Sequence, residues 1–171
     1  MSTDVLSELR ADPALIVLIG VAGAGKSTLA AGWGPTQVLS LDALRGAVSD
    51  DDCDQDATAD AVTVLHTVLA ARMHRRLTTV VDATNLTTDA RRPLLELARA
   101  NHVPAIAIVL TTPLPDCHTR NATRPGLHGA ARWGRRVPVD VVDAQHCQLL
   151  QSIPHLHTEG FAEIHLAGKD A

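Results

Sequence analysis

Aromatic side chains are nearly absent. The 171 residues include two Trp, one Phe and no Tyr. Ala, Val, Leu and Ile must therefore build the core, and a bound base would have few rings to stack on. Arginine planes or aliphatic side chains would have to take that role. Cysteine is scarce too: Cys53, Cys117 and Cys147 are far apart and show no Cys-x-x-Cys spacing. That argues against a disulfide scaffold and points to reduced thiols in a cytosol. No apolar run approaches the ~18 residues of a membrane span, and the N-terminus, "MSTDVLSELR", lacks the basic start of a signal peptide. The expectation is a soluble, cytoplasmic protein with no membrane partner.

Positive charge is not in excess. The formal net charge is −4, which argues against a protein that coats long nucleic acid through bulk charge. The charge is unevenly spread, however. Residues 1–66 carry three basic and ten acidic side chains, and residues 67–171 carry twelve and nine, so a local basic patch fits on an acidic protein. The apolar fraction of 46% is ample for a core, and the length points to one domain spanning residues 1–171.

Strand and helix patterns alternate along the chain. Residues 1–13 read as a short helical leader closed by Pro13. "ALIVLIG" (14–20) is the continuous apolar run of a buried parallel strand. A helix is expected from Lys26 to about Trp33. "TQVLSLD" is a second strand ending at Asp42, and Ala43–Val48 form a helical turn or two. An acidic loop leads into a helix over about Asp56–Arg76, then come the strand "TTVVDATN" and a helix over Asp89–Ala100. The strand "AIAIVL" is followed by a helix after Pro115 running to about Ala122. The glycine- and arginine-rich segment 122–138 reads as a mobile lid. A helix over "VDVVDAQHCQLL" and a strand over "FAEIHLAG" complete the pattern. Such alternation implies βαβ units and a parallel sheet, an α/β fold.

The break after the first strand carries the chemistry. Gly20, four residues, Gly25, Lys26 and Ser27 form the phosphate-loop pattern G-x-x-x-x-G-K-[ST], between a strand and a helix as that motif requires. Its glycines, Gly23 and Gly25 among them, let backbone N–H groups turn inward around phosphate oxygens at the positive end of a helix. Lys26 reaches the β- and γ-phosphates, and Ser27 offers a hydroxyl to Mg²⁺. Thr28 follows as a further nucleotide-side residue. The motif implies nucleoside triphosphate binding and leaves the acceptor open.

Asp42 stands at the carboxyl edge of the second strand, where ligands of parallel sheets bind. There it is either the base for an attacking hydroxyl or a helix N-cap. Arg45, one turn on, either holds an anionic group of the acceptor or is solvated. Asp82, ending the third strand, either ligates Mg²⁺, directly or through water, or positions the neighbouring loop. Thr84 and Asn85 are loop-locking or merely structural. Arg120 and Arg124, four residues apart, with Arg132, Arg135 and Arg136 beyond, read as arginines that close over a triphosphate, against the alternative of a solvated basic loop. His155 and His157 alternate about Leu156 as surface side chains.

Five blocks in one order, "GVAGAGKST", "VLSLDALRGAVSDDDCDQDATADA", "LTTVVDATNLTTDARRPLLELA", "CHTRNATRP" and "RRVPVDVVDAQHCQLLQSI", resemble the 5′-kinase domain of bacterial polynucleotide kinase-phosphatases. These are RNA end-repair enzymes, and the resemblance runs from about Ala14 to Leu166. It implies an adenylate kinase-like fold with a parallel sheet of order 2-3-1-4-5. It also implies transfer of the γ-phosphate of ATP, or another nucleoside triphosphate, to 5′-OH ends of RNA or DNA. By position, Lys26 and Ser27 then bind phosphate and metal, Asp42 is the general base, and Arg45 contacts an acceptor phosphate. Arg120 sits near the nucleobase, Arg124 lies on the phosphates, and Arg135 or Arg136 is a further lid arginine. The acidic run from Asp50 to Asp56 caps an acceptor tunnel or is solvated.

The chain departs from that family at Leu41, where a serine is usual, at Cys53, where an acidic residue is usual, and in the lengthened lid "GLHGAARWG". The sequence shows no phosphatase or ligase segment, so the expectation is either a stand-alone kinase, with such modules as partners on other chains, or an excised piece of a larger repair protein. Two further readings stand beside this one: a kinase of small-molecule hydroxyls, and a nucleotide-binding switch without catalysis.

Overall fold

The computed structural model describes residues 13–124 and 135–168. The helical leader expected over residues 1–13 lies outside them except for Pro13. So does the middle of the expected lid, with Gly126, Gly129, Arg132 and Gly134.

Five parallel strands stand in the order β2-β3-β1-β4-β5, with helices on both faces. The central strand β1 (Leu15–Ile19) is wholly aliphatic and all five residues are buried. Covering both faces of a strand removes the polar alternation that a half-exposed strand needs, and each such side chain contributes roughly 1.5–3 kcal/mol by leaving water. β4 (Ala105–Leu110) obeys the same rule with all six residues buried. It pairs with β1 from Leu15↔Ala105 to Ile19↔Val109. β3 (Thr79–Asp82) lies on the other side of β1, and β2 (Val38–Ser40) lies outside β3. β5 (Glu163–Ala167) is an edge strand with most of its side chains exposed or half-exposed.

The helices are α1 (Lys26–Ala30), α2 (Leu41–Ser49), α3 (Thr58–His74), α4 (Thr88–Ala100), α5 (Leu114–Ala122) and α6 (Val139–Ser152). Most elements match the expected spans to within a few residues, and two of the differing boundaries bear on the site. α1 stops at Ala30 instead of Trp33, because turns closed by the Gly32 and Trp33 N–H groups fold Trp33 back into the core. The second strand ends at Ser40, not at Asp42. Ser40 is the N-cap of α2, its hydroxyl accepting from the Ala43 N–H at 3.4 Å. Asp42 is thus a first-turn helical residue and is not the cap. A 3₁₀ stretch over Ile153–Thr158 follows α6, and no expectation covered it.

What positions the carboxyl edge of the sheet is a buried polar chain. Asn85, left-handed at φ 49°, donates to the Leu18 carbonyl of β1 at 2.8 Å. Arg91 of α4, fully buried, donates to the Asn85 carbonyl at 2.7 Å, to Ser152 at 2.8 Å and to both Glu159 oxygens at 2.5 and 2.7 Å. The Gly20 N–H in turn donates to the Thr84 carbonyl. The phosphate-loop strand, the end of β3, α4 and the chain's last turn are thereby tied together. Burial alone would raise the Glu159 carboxyl, but the Arg91 guanidinium beside it holds it below the usual carboxylate range.

Candidate active site

The loop between β1 and α1 is shaped by close backbone approach. Gly23 has φ 82°, and a Cβ there would stand 2.4 Å from the Cys117 carbonyl oxygen of α5. Only glycine permits both the conformation and the contact. Gly25 has φ 100° in more open space, with the Arg120 guanidinium as its nearest neighbour at 3.4 Å. Thr112 donates to the Ala24 carbonyl at 2.8 Å, and Arg120 does so at 3.3 Å.

The Lys26 ammonium lies across the loop, donating to the Gly20 and Val21 carbonyls at 2.9 and 2.8 Å. Burial lowers its pKa to about 8, with Asp82 opposing that shift and Arg124 adding to it. Asp82 is almost fully buried at the end of β3. Burial raises its carboxyl, while a hydrogen bond from Ser27 and the charges of Lys26 and Arg124 pull it down. Thr28 is exposed.

Asp42 and Arg45 face each other across one turn of α2 and form an ion pair. The alternative of a solvated Arg45 is excluded. The side chain is 7% exposed and also donates to the Asp52 carbonyl at 3.2 Å. Asp42, by contrast, keeps 60% of its side chain exposed. It faces a cavity of about 600 Å³ beside Ser27 and Asp82. Ala30, Trp33, Pro35 and Val38 form an apolar wall there, and Asp50 and Asp52 bring part of the acidic run to the same cavity. The register Ser40↔Asp82 explains the convergence, since it puts the start of α2 directly beside the end of β3.

The described arginines divide between two sides. Arg124, half-buried, acts on Lys26 and Asp82 and so faces the phosphate loop. Its guanidinium donates to the Arg135 carbonyl at 3.3 Å. Arg135 is lowered by burial and by Arg45, and Asp42 and Cys53 are among the other groups it feels. It therefore belongs with the α2 side of the site. Arg136 is exposed and donates to the Arg124 carbonyl at 2.5 Å. His155 and His157 are exposed, as expected.

Four residues that position these groups had no signal in the sequence. Asn121 exchanges two hydrogen bonds with the Val137 backbone, at 2.7 and 3.0 Å, and so anchors the segment carrying Arg135 and Arg136. Gln145, whose Oε1 accepts from the Ala22 N–H at 2.9 Å, and Thr112 and Arg91 likewise become visible only once the chain is folded. Among the described residues no helix is long and apolar enough to cross a membrane.

A phosphate loop at the carboxyl edge of a five-stranded parallel sheet of order 2-3-1-4-5 is the architecture of the P-loop kinases. Residues 15–153 match the model of the AAA domain family, and the chain belongs to that family of P-loop proteins. No curated protein matches the sequence. Solved structures share the fold. A candidate kinase from Chloroflexus aurantiacus J-10-fl aligns with TM-score 0.65 at 19% identity, over 92% of this chain and 88% of that one. A chain of the Pnkp1/Rnl/Hen1 RNA repair complex aligns with TM-score 0.68 at 19% identity, over 85% of this chain but 46% of that one. A gluconokinase from Sinorhizobium meliloti 1021 aligns with TM-score 0.54 at 20% identity, over 93% and 84%. At these identities the likeness speaks for the fold alone.

Proposed function

We propose that the protein is a polynucleotide 5′-hydroxyl kinase, transferring the γ-phosphate of ATP or another nucleoside triphosphate to 5′-OH ends of RNA or DNA. The observation that carries the proposal is the Asp42–Arg45 pair on α2. It opens on a cavity that Ser27 and Asp82 also line. A nucleotide-binding switch has no need of an exposed carboxylate at that place. An acceptor hydroxyl does.

In this scheme the loop N–H groups and Lys26 hold the β- and γ-phosphates. The acceptor oxygen attacks the γ-phosphorus, its proton passes to the Asp42 carboxylate, and the bond to the β–γ bridging oxygen breaks to release the diphosphate. Arg45 orients the Asp42 carboxyl, while Arg120 and Arg124 neutralise charge on the phosphates and Arg135 attends the acceptor side. The Ser27 hydroxyl and the buried Asp82 carboxylate are hard oxygen donors side by side, a pair that fits Mg²⁺. Bound there, Mg²⁺ would neutralise phosphate charge. End repair by such a kinase would draw on partner phosphatase or ligase modules.

A second reading has its own support. Asp42, Asp50, Asp52 and Asp82 all line the cavity, a surface that also suits a neutral or cationic small-molecule acceptor. Transfer of labelled γ-phosphate to a panel of 5′-OH oligonucleotides, 5′-phosphorylated oligonucleotides, nucleosides and sugars separates the two. The proposal expects label on 5′-OH oligonucleotides and none on the phosphorylated ones. Label confined to nucleosides or sugars would replace it with the second reading, and no transfer to any acceptor would leave a nucleotide switch.

A further inference from the structure

The phosphate loop is held from a helix that the motif does not contain. The Ala22 N–H, in the middle of the loop, donates to Gln145 Oε1 of α6 at 2.9 Å, across 123 residues of sequence. Because the donor is a backbone N–H, the carboxamide must present its oxygen to the loop. Ala22 directly follows Val21, whose carbonyl takes the Lys26 ammonium at 2.8 Å. The glutamine and lysine contacts thus fall on the N–H and the C=O of one peptide group, that between Val21 and Ala22. Ala22 is itself buried, so its N–H would meet little water if the glutamine oxygen were lost.

The helix behind Gln145 is fixed on its own account. His118 of α5 and Asp143 of α6 meet at 2.8 Å, and Val142 is fully buried. The segment entering α6 carries Arg135 and Arg136 and is clamped by Asn121 at Val137. One helix therefore bears both the arginine segment at its start and the loop brace two turns on.

We propose that Gln145 is a positioning residue of the phosphate loop, setting the Gly20–Ala22 arm in the form that receives a triphosphate. The inference rests on the nucleotide-binding part of the proposed function. It adds a residue outside the motif on which phosphate affinity depends.

The test uses the full chain and measures binding of AMP, ADP and a non-hydrolysable ATP analogue together with thermal midpoints. Gln145→Leu keeps the bulk and removes the acceptor. It should weaken the triphosphate about 3- to 10-fold, the range of one hydrogen bond, and leave acceptor KM unchanged. Gln145→Glu keeps an acceptor oxygen for Ala22 and adds a negative charge beside the loop. It should preserve the thermal midpoint, with a loss of affinity that grows from AMP to ADP to the triphosphate. A merely structural glutamine would behave otherwise. Gln145→Leu would lower the midpoint with triphosphate affinity intact, and that result overturns the proposal. A Gln145→Glu loss that does not grow with phosphate number would place the side chain away from the bound phosphates and overturns it as well. A wild-type chain that binds no triphosphate would instead overturn the nucleotide reading, which keeps the two failures apart.

Discussion

Nucleotide affinity should depend on pH through Lys26, and the structure sets both the direction and the size. Burial lowers the Lys26 pKa to about 8 from the ordinary lysine value of 10.5. The ammonium is the form that attracts phosphate. Below about pH 8 the free protein already carries that proton, so affinity is flat there. Above it, a bound triphosphate must recover the proton, because the phosphate's negative charge raises the lysine pKa toward its ordinary value. Affinity should therefore fall about tenfold per pH unit above 8, close to a tenfold loss between about pH 7 and pH 9, or roughly 1.4 kcal/mol. The assay is calorimetric titration with a non-hydrolysable ATP analogue in a chelating buffer, so that Ser27 and Asp82 hold no metal. Phosphate ionises near pH 6 and is complete over this range. At about pH 8.5, two buffers of different ionisation enthalpy should reveal proton uptake on binding. Lys26→Arg keeps its charge throughout and should give a flat profile. A flat profile in the wild-type chain, alongside weakened binding in Lys26→Met, would refute the argument. It would mean that the ammonium keeps its ordinary pKa despite its position across the loop.

Three other perturbations have defined outcomes. Asp42→Asn should lower kcat roughly 10²–10⁴-fold with nucleotide affinity unchanged, and a large fall in nucleotide binding at constant kcat would instead make Asp42 a phosphate-side or metal-side residue. Gly23→Ala adds a Cβ at 2.4 Å from a backbone oxygen in a left-handed conformation, so it should lower the melting temperature and weaken ATP at least about tenfold, far more than Gly25→Ala, which meets only a side-chain tip at 3.4 Å. Glu159→Gln leaves the fully buried Arg91 without its anion and should cost about 3–5 kcal/mol in denaturant unfolding. The lowered Glu159 carboxyl also sets a sign: its contribution is whole above the ordinary carboxylate range and fades as pH falls through its folded value, so the wild-type advantage over Glu159→Gln should shrink in acid.

Local chemistry was enough for the sequence by itself to determine several things. "ALIVLI" before Gly20 reads as a strand covered on both faces, and the G-x-x-x-x-G-K-S break reads as a phosphate loop. The order of strands and helices, and the helical placement of Arg45 one turn from Asp42, also follow from residue type and period. The sheet order 2-3-1-4-5 entered through family resemblance, and the structure bears it out. What the tertiary structure alone decided are the meetings between distant segments. Arg91 and Arg92 are neighbours in "DARRP", yet one is fully buried against Glu159 and the other is 61% exposed. No local rule separates them, because only the packing of α4 against the last turn does. Asp82 reaches Ser27 because β3 lies beside β1, and the start of α2 reaches Asp82 because β2 runs in register with β3. Gln145 reaches Ala22 because α6 packs against α5. Each of these contacts joins side chains whose separation along the chain carries no information about distance. The site's inner architecture therefore had to wait for the fold.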